Sequence, residues 1–128
     1  MTGNLLHKLI VAPLPYVPKS IVWQLSQRYV AGTDLAAAGR TVKTVNEFGC
    51  CATVDVLGED STTLDEVETA RDLYFAALAE IEKETLDCNA SVKLSDLGLR
   101  FDTELTFNTI EAIVDRAGQL GNFVRIDM

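Results

Sequence analysis

A chain of 128 residues, 48% apolar and 23% charged, has the length and balance of one globular domain. Nineteen acidic residues against eleven basic ones leave a formal net charge of −8; with no basic patch, that balance excludes nucleic acid as a partner. Three cysteines, two of them adjacent (Cys50, Cys51 and Cys88), and the single His7 exclude a disulfide framework and a zinc site, so no metal is expected and the thiols are read as reduced and cytoplasmic.

The apolar stretch from Leu9 to Pro15 is too short for a bilayer span or a signal peptide and is broken by proline. Residues 1–32 are therefore expected to form an N-terminal arm and helix, with Pro18 at the helix start, Ile21, Val22, Leu25 and Tyr29 along one face, and Gly32 at the end. Trp23 and Tyr29 read as packing residues. Thr33 is placed as the cap of a second helix that presents Leu35, Ala38, Val42 and Val45 and closes at Gly49.

Residues 51–57 are rich in β-branched side chains between two glycines and predict a first strand. Thr63-Leu-Asp-Glu66 has capping-box spacing. The long helix it opens carries Leu64, Val67, Tyr74, Leu78 and Ile81 on one stripe, with at least one of Tyr74 and Phe75 in the core. The acidic run from Glu80 to Glu84 reads as a solvated face. Residues 89–94 predict a second strand, and 95–101 a loop around Gly98. Asp102 caps a third long helix with Ile110, Ile113, Val114 and Ala117 inward and Gly121 at its end; residues 122–127 predict a third strand. The three cysteines are taken as small buried or half-buried apolar groups.

Strand, helix, strand, helix, strand is the pattern of crossovers that build a parallel sheet. The strands are not uniformly apolar, as strands covered by helices on both faces should be. Val54 and Val56, Val92 and Leu94, and Val124 and Ile126 lie on one face. The other carries Asp55, Lys93, Arg125 and Asp127. Charges near strand C-termini fit the mouth of a barrel, where active sites gather, better than an open doubly wound sheet. No glycine-rich dinucleotide fingerprint is present. The same four charges could equally form an ion network that fills a barrel interior, since isolated interior charges cost several kcal/mol.

At these residues the sequence resembles the proline dehydrogenase family of flavoenzymes. Arg28-Tyr-Val-Ala-Gly32 resembles the segment ahead of the family's barrel. Ala52-Thr-Val-Asp-Val-Leu-Gly-Glu59, Ser91-Val-Lys-Leu-Ser-Asp-Leu-Gly-Leu99 and Phe123-Val-Arg-Ile-Asp-Met128 resemble its first three strands. The resemblance implies an α/β fold, the N-terminal part of a (β/α)8 TIM-like barrel over residues 33–128, truncated after the third strand. It implies FAD as cofactor, L-proline as substrate and 1-pyrroline-5-carboxylate as product.

By the same resemblance Lys93 and Asp127 are the catalytic candidates, and Lys93 attracts the proline carboxylate. Asp55, Glu59 and Arg125 support them, Asp55 as a partner for Lys93. A quinone acceptor, and with it a transient encounter of a cytoplasmic protein with the inner membrane, is implied too. Ser95-Asp96 departs from the Thr-Gln pair common in the family. The paired arginines that clamp the substrate and most flavin contacts are expected beyond Met128, which implies that the chain alone is inactive. The competing reading is a non-catalytic fragment that persists only by pairing with another chain or itself.

Overall fold

The computed structural model describes residues 34–58 and 60–127. The expected arm and helix over residues 1–32, with Trp23 and Tyr29, lie outside the described residues, as does Glu59.

Helix α1 (Leu35–Glu47) begins where the Asp34 carboxylate accepts the Ala37 amide at 2.8 Å. The N-cap is therefore Asp34 and not Thr33: its carboxylate sits three residues before an amide that has no partner inside the helix. The helix stops at Gly49, whose positive φ of 77° suits glycine and whose amide returns to the Asn46 carbonyl at 2.8 Å. Of its expected face, Val42 is buried and Leu35 is 40% exposed.

Strand β1 (Ala52–Asp55) follows, and then α2 (Leu64–Lys83) opens with the expected capping box. Thr63 Oγ accepts the Glu66 amide at 3.3 Å, and Glu66 accepts the amides of Thr62 and Thr63 at 2.8 and 3.1 Å. Val67, Tyr74, Ala77, Leu78 and Ile81 form its buried stripe, while Leu64, in the first turn, stays half exposed. Strand β2 (Cys88–Lys93) runs straight into one 3-10 turn, Leu94–Leu97, closed by Gly98 at φ 86°.

Helix α3 (Thr103–Gln119) is capped by Asp102, which accepts the Leu105 amide at 2.9 Å, and ends before Gly121 in the left-handed region. Its buried side differs from the expected stripe. Ile113 and Ala117 are buried, but Val114 is 46% exposed and Thr106 and Thr109 turn inward. Burial of these hydroxyls is tolerated because each donates to a backbone carbonyl: Thr106 to Leu97 at 2.8 Å and Thr109 to Leu105 at 2.7 Å.

The chain closes on β3 (Val124–Asp127). The three strands form one parallel sheet in the order β1-β2-β3, each pair joined through a helix. Ladder partners include Asp55 with Ser91 and Lys93 with Asp127. The core lies between helices and sheet, where Tyr74, Leu78, Ala90, Val92, Leu97, Ile113 and Ala117 make one buried cluster. Burying such side chains contributes on the order of 1.5–3 kcal/mol for each large one. A smaller cluster of Val42, Ile81 and Cys88 seats α1.

Among the described residues, then, the architecture is an α/β layer with an open three-stranded sheet and three helices. The strands are shorter than the sequence implied or shifted by a residue. After Asp55 the chain leaves the sheet to bring Ser61 to the turn at Ser95, where its amide donates to the Ser95 carbonyl at 3.1 Å. Asn122 is held by the helix exit, its amide on Ala117 O at 2.9 Å, so β3 starts at Val124. Cys88 is buried, but Cys50 and Cys51 are exposed, against the expectation for all three: they sit in the connection ahead of β1, outside the core. No helix among the described residues is long and apolar enough to cross a membrane.

Candidate active site

Alternation along the strands divides their side chains between the two faces of the sheet. Val54, Ala90, Val92 and Val124 pack against the helices. The opposite face carries Thr53 and Asp55 from β1, Asn89, Ser91 and Lys93 from β2, and Arg125 and Asp127 from β3. No helix covers this face among the described residues, so its polar groups remain half-exposed or exposed.

Four of the five sequence-selected residues come together here. Lys93 Nζ lies 2.9 Å from Asp55 Oδ2, an ion pair across β1 and β2 with both side chains only partly exposed. Lys93 stands opposite Asp127 in the β2–β3 ladder. The hydrogen bond and charge of Asp55 hold the Lys93 ammonium above its ordinary value, with smaller help from the charges of Asp96 and Asp127, so it stays protonated well past neutrality. Arg125 reaches Thr53 Oγ at 3.4 Å, and Thr53 donates to Asn89 Oδ1 at 3.3 Å. Arg125 is therefore tied to the far strand by a hydroxyl and not by a carboxylate. Glu59, next to Gly58 in the sequence, lies outside the described residues.

The result is a polar surface with one ammonium and one guanidinium among three hydroxyl or amide groups and two carboxylates. Such a surface can bind a small carboxylate at Lys93 while Asp55 keeps that cation charged and in place. The donor set also fits the carbonyl and nitrogen edge of a flavin ring, which asks for N–H donors at close range.

In the sequence, Asp96 stands out only as a departure from a common residue pair. It is 4% exposed, sits three residues beyond the end of β2, and has a carboxylate oxygen, Oδ2, with no hydrogen-bond partner. Burial pushes its carboxyl up, against the Ser95 hydroxyl and the Lys93 charge, which pull it down. The signal available was an acidic residue between Leu94 and Leu97, two positions that a 3-10 turn directs inward.

No family model matches the chain. Curated relatives do. The chain is 36% identical over 103 residues to proline dehydrogenase 1 of Bacillus subtilis subsp. natto, covering 80% of this chain and 34% of that protein. It is 27% identical over 101 residues to proline dehydrogenase 2 of Bacillus subtilis, covering 79% and 33%. Against proline dehydrogenase of Deinococcus radiodurans it is 25% identical over 126 residues, covering 94% and 41%. The chain thus spans about a third of the length of the curated relatives it matches. Over about four fifths of its length, then, the chain is similar to proteins that share the name proline dehydrogenase.

Proposed function

We propose that this chain supplies the first three strands of a proline dehydrogenase barrel, in which flavin-dependent oxidation converts L-proline to 1-pyrroline-5-carboxylate. The observation that carries this reading is the Lys93–Asp55 pair at 2.9 Å on the uncovered face of a parallel sheet, in a chain similar to proteins named for that reaction. Lys93 attracts the substrate carboxylate as a point charge. Asp55 holds the ammonium at the strand ends, and Asp127, opposite Lys93 in the ladder, keeps the local charge balanced when no substrate is bound. Arg125, steadied by Thr53, lines the same surface and keeps its guanidinium available.

FAD, when bound, supplies the acceptor for the hydride leaving the carbon beside the amine nitrogen. The residues present fit an edge of that group. Most of its contacts are assigned to the two thirds of the relatives' length that the match does not cover, and Glu59 is assigned to the loop at the barrel mouth. A cytoplasmic location, with electrons passed to a quinone in a transient encounter at the inner membrane, completes the reading; its support is the family likeness.

The test has two parts. The 128-residue chain is incubated with FAD, desalted and scanned in the visible range; a colourless protein is expected, and retained flavin absorbance would overturn the assignment of the cofactor site. Residues 33–128 are then joined to the remaining length of the Bacillus subtilis relative. That chimera is expected to be yellow and to reduce a dye with proline, and Lys93→Met in it to lower kcat/KM by roughly a hundredfold. A yellow chimera that leaves proline untouched would remove the substrate assignment.

A second reading, a non-catalytic chain that persists by pairing with itself or another chain, is favoured by one observation. Both outer strands lack a further ladder partner among the described residues.

A further inference from the structure

Two cations on the uncovered face of the sheet stand within reach of one carboxylate. Asp55 is level with Ser91 in the β1–β2 ladder, and Ser91 is level with Arg125 in the β2–β3 ladder. Asp55 and Arg125 therefore share a level and a face, two strands apart, which is about 10 Å between backbones. The arginine side chain covers such a span: its guanidinium already crosses β2 to reach Thr53 Oγ on β1 at 3.4 Å. Thr53 lies two residues before Asp55 on the same face. Yet Asp55 is held by Lys93 at 2.9 Å, and Arg125 forms no ion pair among the described residues.

Intrinsic chemistry favours the opposite pairing. A guanidinium presents a planar fork that meets a carboxylate in two parallel hydrogen bonds, whereas an ammonium is a point charge. A guanidinium on Asp55's own strand competes for it unless something keeps Arg125 one level lower. The polar contacts of that lower level do so. Thr53 and Asn89 are ladder partners. The Thr53 hydroxyl donates to Asn89 Oδ1 at 3.3 Å, and the Asn89 side-chain amide donates to Ala52 O at 3.5 Å, which turns the acceptor end of Asn89 towards Thr53. A hydroxyl has one proton to give. With that proton committed to Asn89, Thr53 offers Arg125 only lone pairs, and a guanidinium has only donors.

From this arrangement we infer that Thr53 is a positioning residue of the site: oriented by Asn89, its hydroxyl holds the Arg125 guanidinium below the level of Asp55 and leaves that carboxylate to Lys93. The consequence for a substrate carboxylate rests on the function proposed above; the consequence for the ion pair does not. The other charges that act on Lys93 are Asp96, on the turn after β2, and Asp127, on β3. Asp127 is also two residues from Arg125 on the same face, and is the alternative seat for a released guanidinium.

The first measurement needs neither cofactor nor substrate. Exchange of the Lys93 ammonium protons with water is followed by 15N NMR in the 128-residue chain. Thr53→Val removes only the hydroxyl of an exposed strand residue and keeps its β-branched shape, so the sheet is retained. Exchange is expected to be about two- to fivefold faster, the range of a partly exposed ion pair. Thr53→Ser should behave as the parent. In an Arg125→Leu background, which lacks the competing cation, Thr53→Val should leave the rate unchanged, a non-additivity that a general weakening of β1 does not produce. An unchanged rate in Thr53→Val alone, as when the guanidinium moves to Asp127, would overturn the inference, and so would an equal acceleration in the Arg125→Leu background. In the chimera described above, Thr53→Val should raise KM for proline by about two- to fivefold with kcat held within about twofold. Faster exchange with an unchanged KM would uphold the positioning of the pair and count against Lys93 as the substrate's partner.

Discussion

Two carboxyl groups near the opening of α2 respond to pH in opposite directions. Burial pushes Asp96 up, and the backbone amide of Thr62 with the Thr63 hydroxyl pulls Glu66 down. A carboxyl whose folded value exceeds its unfolded one binds its proton more tightly in the native chain. Its contribution to stability is complete below the unfolded value and is lost as pH rises through the folded one. Glu66 does the reverse: its contribution is present above the unfolded value and is lost as pH falls through the lowered one. Asp96→Asn removes an ionisable group from a site that does not pair it, and is expected to stabilise the free chain by about 1 kcal/mol at pH 7. The gain should be smaller at pH 4, because the raised carboxyl takes up its proton more readily than a free one as pH falls. Urea midpoints of parent and variant at the two pH values check this; a variant less stable than the parent at pH 7 would show that the Asp96 charge is paired after all.

At the scale of elements, much of the layout is visible in local chemistry. Thr63 and Glu66 announce the α2 cap, Asp102 the α3 cap, and Gly98 and Gly121 the left-handed exits. The alternation of Val54, Asp55, Val92 and Lys93 announces which side of each strand meets the helices, and with it the Lys93–Asp55 pair. What could not be read there depends on partners distant in sequence. Thr106 is buried because Leu97 O is waiting for its hydroxyl, and the periodicity of apolar residues chose Val114 instead. Asn46 ties the end of α1 to the entrance of β2, donating to Asp87 O at 3.0 Å and accepting the Asp87 amide at 2.9 Å, a contact across 41 residues. Asn122 does the same for β3, donating to Cys88 O at 2.9 Å. Strand ends follow from such latches, which is why their boundaries moved. The burial of Asp96 belongs to the same class, since it rests on Gly58 and Ser61, which are distant from it in sequence.

Gly98 is where an element boundary has the least room. Its φ of 86° is strained for any residue with a Cβ, and that atom would lie 2.9 Å from Val67 Cγ2, on a β-branched side chain held in the core. Gly98→Ala is expected to destabilise by about 2–4 kcal/mol, from the left-handed backbone and the overpacking together. Thr63→Ala, which removes one half of the α2 cap, should cost about 1 kcal/mol. Thermal unfolding of the two variants by circular dichroism ranks them; a Gly98→Ala chain milder than Thr63→Ala would mean that the turn at 98 repacks.

For the whole molecule, the open sheet and the net charge act against each other. β1 and β3 each present a row of backbone donors and acceptors without a ladder partner among the described residues, and such edges invite pairing. Ile126 on β3 is 53% exposed and Phe123 just before it 61%, so apolar surface adjoins that edge. A net charge of −8 keeps copies apart, and salt weakens that repulsion. β3 is also suited to its own copy. If two β3 strands meet antiparallel about Ile126, Arg125 of each stands opposite Asp127 of the other on the polar face, and opposite charges across strands stabilise the pair. Light scattering should therefore find the chain growing from monomer to dimer as protein and salt concentrations rise, salt up to about 0.5 M, where the screening length falls well below 10 Å. Ile126→Lys, which sets a like charge against itself at the centre of that pairing, should hold it monomeric under the same conditions. If the parent chain stays monomeric throughout, the β3 edge is not competent to pair on its own; if Ile126→Lys dimerises as readily as the parent, the contact lies elsewhere, with the β1 edge the next to be tested.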